Sequence, residues 1–378
     1  MQASVNYFTG ILCAWPTSYP EWPAGERGAP AGRDRRQQSA GASTAQHDKK
    51  VNPPRKADSM RRSDYDVTDS IRTTGPAEVG SEVRQIFERL YPTAASRPIA
   101  QAFADLTDLY CGADKLHHPC DTEYHDIQHV LDVTLAMARL MDGYERGRNG
   151  YAPMTSDHFV VGVVTALFHD IGYIRRKADR THKYGSEYTL THVTRGSVFL
   201  RAYLGRMGLD EHAATGALLV HFTGYERSPD SIRITDPLLR KVGEILGTAD
   251  IIAQMSDRCY LEKCRDRLYP EFLVGGLARR RMPDGRIEIL FSSGDDLVRK
   301  TPGFYVNALK RLDQQLSGVY TYAEKYFGGQ NLYLEEMRKN VDYAKLVSLE
   351  PGTEMLRRTP PYTLLPCVRP YPADLKIR

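Results

Sequence analysis

Apolar residues recur at intervals of three and four through most of residues 81–257, and this period limits what the chain can become. In "SEVRQIFERLYP" the spacing of Val83, Ile86, Phe87 and Leu90 puts all four on one side of a helix. The same pattern predicts helices over 125–142, 157–170, 186–207, 211–222 and 236–257, separated by breaks at Gly or Pro. It returns within 303–348, ending before Pro351. The one strand signal is "RRMPDGRIEILF", where Pro-Asp-Gly offers a turn beside a short β segment. The expected fold class is therefore all-α, with a small β or irregular insert.

The first 80 residues lack that period. "PAGERGAPAGRDRRQQSAGASTAQHDKKVNPPRK" cannot bury enough apolar surface to offset chain entropy, so residues 1–80 are expected to form a disordered basic tail. Between Ala24 and Tyr65 ten Lys or Arg stand against five Asp or Glu, so the formal charge of +4 belongs to this tail and the rest of the chain is nearly neutral. That balance argues against a nucleic-acid-binding face on the folded part. No window approaches the ~18 uninterrupted apolar residues of a membrane span. The six cysteines lack Cys-x-x-Cys spacing, which suits reduced thiols and a cytoplasmic setting. Expected divisions are the tail at 1–80, a core at 81–260, a helical extension with the insert at 261–350, and an irregular tail at 351–378.

Polar groups interrupt the apolar faces at a few places. "YHDIQHVLDV" sets His125 and His129 four apart, on one face of a helix. "TALFHDIGY" delivers His169 and Asp170 at the end of an apolar run, with Gly172 letting the chain turn away. His192 opens "THVTRG", His221 ends "ALLVHFTGY", and Asp250 sits among Ile and Leu in "EILGTADIIAQM". Unpartnered burial of such groups costs several kcal/mol. Coordination to a shared cation would satisfy His129, His169, Asp170, His192, His221 and Asp250 together. A single one of these residues is better explained as a hydrogen-bonded core residue; the ordered set points to a metal site.

The order His … His-Asp … Asp on helices resembles the HD-domain superfamily of metal-dependent phosphohydrolases. "YHDIQHVLDV" is similar to the Tyr-His-Asn-x-x-His-Ala-x-x-Val signature of class I cyclic-nucleotide phosphodiesterases, with Asp126 and Val130 at two of its positions. "FHDIGY" resembles the motif that names the superfamily, and the resemblance spans roughly residues 120–260. It implies an HD-domain helical bundle in which His129, His169, Asp170 and Asp250 form the metal core. His192 and His221 match the further histidines of binuclear members, and His125 matches the histidine that protonates the leaving oxygen.

Imidazole and carboxylate ligands suit Mn, Fe, Zn or, with water, Mg, as one or two divalent ions. Two ions bridged by Asp170 would activate water and shield phosphate oxygens, with His125 and Asp170 as the catalytic residues. Arg175, Arg176 and Lys177 could receive a phosphate, and Gln254, one turn beyond Asp250, could line the pocket. Asp126 could orient a histidine but is better explained as facing solvent. The function expected is hydrolysis of a phosphoester in a small phosphorylated substrate, a nucleotide or cyclic nucleotide. An HD-type di-iron oxygenase and a non-catalytic nucleotide-binding regulatory protein stay open as alternatives.

Overall fold

The structure is a computed structural model that describes residues 61–282, 284–349, 354–364, 368 and 371. Most of the expected basic tail lies outside the described residues. Within that tail's expected span, residues 61–75 do pack on the core, because Asp66 takes backbone N–H groups of Ser70 and Ile71 into a tight loop and faces Arg139. Helix α1 (Pro76–Leu90) follows and buries Val83, Ile86 and Phe87 of the face read from the sequence, with Leu90 half-buried and Val79 added one turn earlier. α2 (Arg97–Tyr110) lies against it.

The centre is α3 (Ile127–Gly147), which is buried on almost every side between Gln128 and Tyr144. It packs against α1, against α4 (Ser156–Leu167) and against α7 (Pro237–Ser256). α5 (His192–Arg206) and α6 (Asp210–Leu219) pair on one side. The starts of three of these helices are written into the chain. Asp126 accepts the His129 N–H, Thr155 and His158 form a reciprocal cap, and Asp236 accepts from Leu238 and Leu239 ahead of Pro237. The helix read as beginning at residue 125 thus begins at 127, and His125 lies just outside it. Asp126, expected to face solvent, is fully buried because it is the cap.

After α7 come α8 (Tyr260–Lys263) and α9 (Tyr269–Val274), joined by a π-turn at 264–268. Pro270 has no N–H for the ordinary helical bond, which favours the wider turn there. The insert is a two-stranded antiparallel hairpin, β1 (Arg279–Arg281) and β2 (Ile287–Ile289), with Arg280 opposite Glu288. α10 (Gly294–Lys310), α11 (Tyr322–Phe327) and α12 (Leu332–Ser348) complete the bundle, α11 against α3 and α12 against α7. The all-α expectation holds. Among the described residues no helix is long and apolar enough to cross a membrane.

Candidate metal centre

Helix α4 ends at Leu167, and Phe168 closes its last turn by donating to Val164. His169 and Asp170 therefore sit just past the helix, where the roughly 100° divergence of helical neighbours no longer applies. Their side chains converge: His169 Nε2 lies 3.2 Å from Asp170 Oδ2. Gly172 follows in a short 3₁₀ turn, but its φ is not left-handed. A Cβ there would lie 1.9 Å from the carbonyl oxygen of His192. The glycine is needed for close approach, since it lets the first turn of α5 lie directly on the His-Asp turn. Gly172→Ala should therefore cost about 1–3 kcal/mol by overpacking a backbone that cannot swing aside. The urea midpoint measures this, and an unchanged midpoint would contradict the packing argument.

α3 supplies His129 and α7 supplies Asp250 from opposite sides of the same point. His129 Nε2 stands 3.3 Å from His169 Nε2, 3.3 Å from Asp170 Oδ2 and 3.4 Å from Asp250 Oδ1. His169 Nε2 stands 3.9 Å from Asp250 Oδ1. Donors bound to one cation at about 2.1 Å are separated by about 3.0 Å in an octahedral edge and about 3.4 Å in a tetrahedral one. The spacing fits a shared ion.

Hydrogen bonding points the same way. His169 Nδ1 is 2.8 Å from the Ala166 carbonyl, which can only accept, so that nitrogen carries the proton. In the neutral ring Nε2 is then a bare lone pair aimed at Asp170 Oδ2, a buried oxygen with no hydrogen-bond partner. Lone pair faces lone pair unless positive charge lies between them. Burial alone would push the His129 imidazole down, yet the carboxylates of Asp170 and Asp250 outweigh it and lift it to about 10. Burial would raise the Asp170 carboxyl, but the adjacent imidazoles hold it well below the usual carboxylate range. The cluster fits a cation: His129, His169 and Asp170 bring ligand atoms within 4.8 Å of one another and could hold a metal ion, with Asp250 Oδ1 beside them, 3.4 Å from His129 Nε2.

His192 is aimed by the same device, with Nδ1 2.7 Å from the Thr189 carbonyl. Its Nε2 is 3.7 Å from Asp170 Oδ1, so the two oxygens of Asp170 face different imidazoles. His221 is buried and turns Nδ1 to Glu226 Oε1 at 2.7 Å. Burial pushes the Glu226 carboxyl up, but this hydrogen bond together with a backbone donor and the charge of the His221 and His192 imidazoles leaves it lowered. Arg311, from the π-turn at 311–315, donates to the carbonyls of Phe222 and Gly224 at 2.6 and 2.7 Å and so pins the loop between His221 and Glu226.

His125 lies at the edge of the cluster, its ring stacked on Tyr173, which stacks in turn on His192. Its Nδ1 is 2.5 Å from Glu271 Oε2, and Glu271 Oε1 accepts the Tyr124 N–H at 2.6 Å. Sequence reading missed Glu271 and Glu226. A buried acid inside "YPEFLV" is a signal of the kind that singled out Asp250, but its partner lies almost 150 residues away. Gln254 accepts from the Tyr124 hydroxyl and donates to Asp250 at both its carbonyl and Oδ1. Arg175 pairs with Asp121 at 3.0 Å and donates to the His182 carbonyl; Arg176 and Lys177 are exposed, Lys177 donating to the Asp114 carbonyl.

No protein-family model matches this sequence, and no curated protein sequence matches it. Among solved structures, the chain is similar to the phosphodiesterase domain of the RhoPDE fusion protein from the choanoflagellate Salpingoeca rosetta. The two are 13% identical with a TM-score of 0.44, over 78% of this chain and 96% of that one. A second structure, the phosphodiesterase domain of Salpingoeca rosetta rhodopsin phosphodiesterase, is 12% identical with a TM-score of 0.43, over 78% and 93%. Likeness at this level leaves activity to be argued from the residues themselves.

Proposed function

We propose that the chain is a metal-dependent phosphohydrolase that cleaves a phosphoester of a nucleotide or cyclic nucleotide. One observation supports this above the others: Asp170 Oδ2, buried and without a hydrogen-bond donor, faces two imidazole nitrogens at 3.2–3.3 Å inside a four-donor cluster. His129, His169, Asp170 and Asp250 would hold one divalent ion, and His192 and His221 a second beside Asp170 Oδ1. Mn, Fe, Zn or Mg all suit such a mixed set. Bound there, the metal would lower the pKa of water and neutralise phosphate oxygens.

The remaining work falls to side chains. Glu271 accepts the Nδ1–H of His125 and fixes the ring, so that Nε2, when the imidazole is doubly protonated, gives its proton to the departing oxygen and leaves the neutral ring. Tyr173, packed between His125 and His192, sets the distance between the proton donor and the second set of imidazoles. Gln254 orients Asp250 by donating to its carbonyl and to Oδ1. Arg176 and Lys177 draw the anionic substrate toward the turn, while Arg175, held by Asp121, shapes the loop that carries them.

The purified protein should hydrolyse bis(p-nitrophenyl) phosphate, and one member of a nucleotide panel faster, when Mn²⁺ is added. Chelation should abolish the activity and Mn²⁺ restore it. At about a hundred times its dissociation constant, the ion should also stabilise the fold by about 2.7 kcal/mol. A melting temperature indifferent to Mn²⁺, Fe²⁺, Zn²⁺ and Mg²⁺, with no phosphoester cleaved, would defeat the reading.

A further inference from the structure

We propose that Thr363 and Tyr371, two anchors from the C-terminal part of the chain, are positioning residues that strap the two walls of the metal centre in register. Past α12, the described residues 354–364 contact α12, α8 and the π-turn at 264–268. The Tyr343 hydroxyl holds the Met355 carbonyl at 2.7 Å, and the Arg358 N–H donates to Glu262 Oε1 at 3.2 Å. Arg267, a buried residue of the π-turn at 264–268, donates to the carbonyls of Pro360 and Pro361 at 3.0 and 2.7 Å. Two consecutive prolines with fixed φ keep this stretch extended and cheap to order. Leu364 and Val368 are buried in the core.

The two polar anchors that follow grip opposite walls. The Thr363 hydroxyl donates to Asp126 Oδ2, while Asp126 Oδ1 accepts the His129 N–H that starts α3. Arg267 Nη1 stands 3.6 Å from the same Asp126 Oδ2, so the helix cap is held by one cation and one strap hydroxyl. Tyr371, also buried, donates its hydroxyl to Ser186 Oγ at 2.9 Å and packs its ring on Tyr184. The Ser186 carbonyl accepts the Thr189 hydroxyl at 2.6 Å, and the Thr189 carbonyl accepts the Nδ1–H of His192. One anchor therefore sits on the turn carrying His125 and His129. The other sits on the turn that aims His192. Displacement of a reacting group by about 1 Å can cost on the order of 100-fold in rate, so a strap joining these turns bears on turnover.

The effect on turnover rests on the phosphohydrolase reading; the effect on the two turns does not. The test uses the full chain with Thr363→Val, Thr363→Ser and Tyr371→Phe, and Tyr343→Phe as a strap contact distant from the centre. In T363V, amide exchange should quicken about tenfold at residues 126–130; in Y371F it should quicken at 184–192. On bis(p-nitrophenyl) phosphate with Mn²⁺, kcat should fall about tenfold in both with KM within twofold, T363S should restore it, and Y343F should match the parent. Exchange and kcat equal to the parent's in folded T363V and Y371F would overturn the strap. So would a lower melting temperature with unchanged turnover per folded molecule, which marks a tether and nothing more. A parent that cleaves no phosphoester would sink the proposed activity instead, and exchange would then decide the strap alone.

Discussion

His169→Ala is expected to abolish tight binding of a divalent cation and to lower phosphoester hydrolysis by about 10³-fold or more. The side chain brings Nε2 within 4.8 Å of the ligand atoms of His129 and Asp170, so its removal leaves that group one donor short. With that imidazole gone, the carboxylates of buried Asp170 and half-buried Asp250 still face His129, so a proton on His129 competes for the place of the ion. The size of the effect follows from removing about 4 kcal/mol of charge stabilisation at the reacting phosphate. Asp170→Asn is the sharper companion, because it keeps the shape and deletes the charge that faces two sets of imidazoles. Both variants should keep parental helicity, since His169 and Asp170 lie outside α4. Mn²⁺ titration separates the possible outcomes. Parental affinity and parental turnover in both variants would remove the metal centre from the account.

How much of this was readable beforehand depends on the range of the interaction. The period of Val83, Ile86, Phe87 and Leu90 is a local property of the chain, and it correctly announced an all-α protein. Polar residues at apolar positions singled out His129, His169 and Asp170, whose ligand atoms lie within 4.8 Å of one another, and Asp250, whose Oδ1 lies 3.4 Å from His129 Nε2. What stayed hidden was each partnership made by distant chain. Asp126 read as a surface residue because "YHDIQH" does not reveal that its carboxylate caps α3 and meets Thr363 and Arg267. Glu271 was one acid among many until the fold set it against His125. Gly172 was read correctly as necessary but for another reason, a turn in place of a close approach. His125 was placed on α3 because four-residue spacing cannot distinguish the cap from the first turn. The segment 61–75 looked like tail, since it is held by scattered contacts, the Asp66–Arg139 and Arg61–Glu336 pairs, Gln128 on Ser63 and Thr73, and buried Val67, and not by an apolar stripe.

The Asp66–Arg139 pair carries the second large effect. Arg139→Leu is expected to destabilise the protein by about 3–5 kcal/mol, a large part of the 5–15 kcal/mol typical of a folded domain. Arg139, buried in the middle of α3, places Nη2 2.6 Å from Asp66 Oδ2 and Nη1 3.2 Å from the Tyr333 hydroxyl, with the rings of Tyr326 and Phe327 over its guanidinium. Leucine fills part of the space but strands a buried carboxylate and a phenol from α12. Asp66→Ala should cost as much, since Ser70 and Ile71 then lose the acceptor for their N–H groups as well. A double-mutant cycle with Asp66→Asn should show coupling, because the two changes remove one interaction. The pH dependence has a definite sign. Burial would raise the Asp66 carboxyl, but Arg139 and the loop's donors outweigh it and hold it below its ordinary value of 3.8. Its contribution is therefore complete above about pH 4 and disappears as pH falls through the lower folded value. In Arg139→Leu the burial cost is no longer offset, the carboxyl rises, and acid unfolding should depend less on pH in that range than it does in the parent. Urea midpoints at pH 7 and pH 3.5 read both effects. A midpoint at pH 7 within about 0.5 kcal/mol of the parent would show that the pair does not hold residues 61–75 to the core.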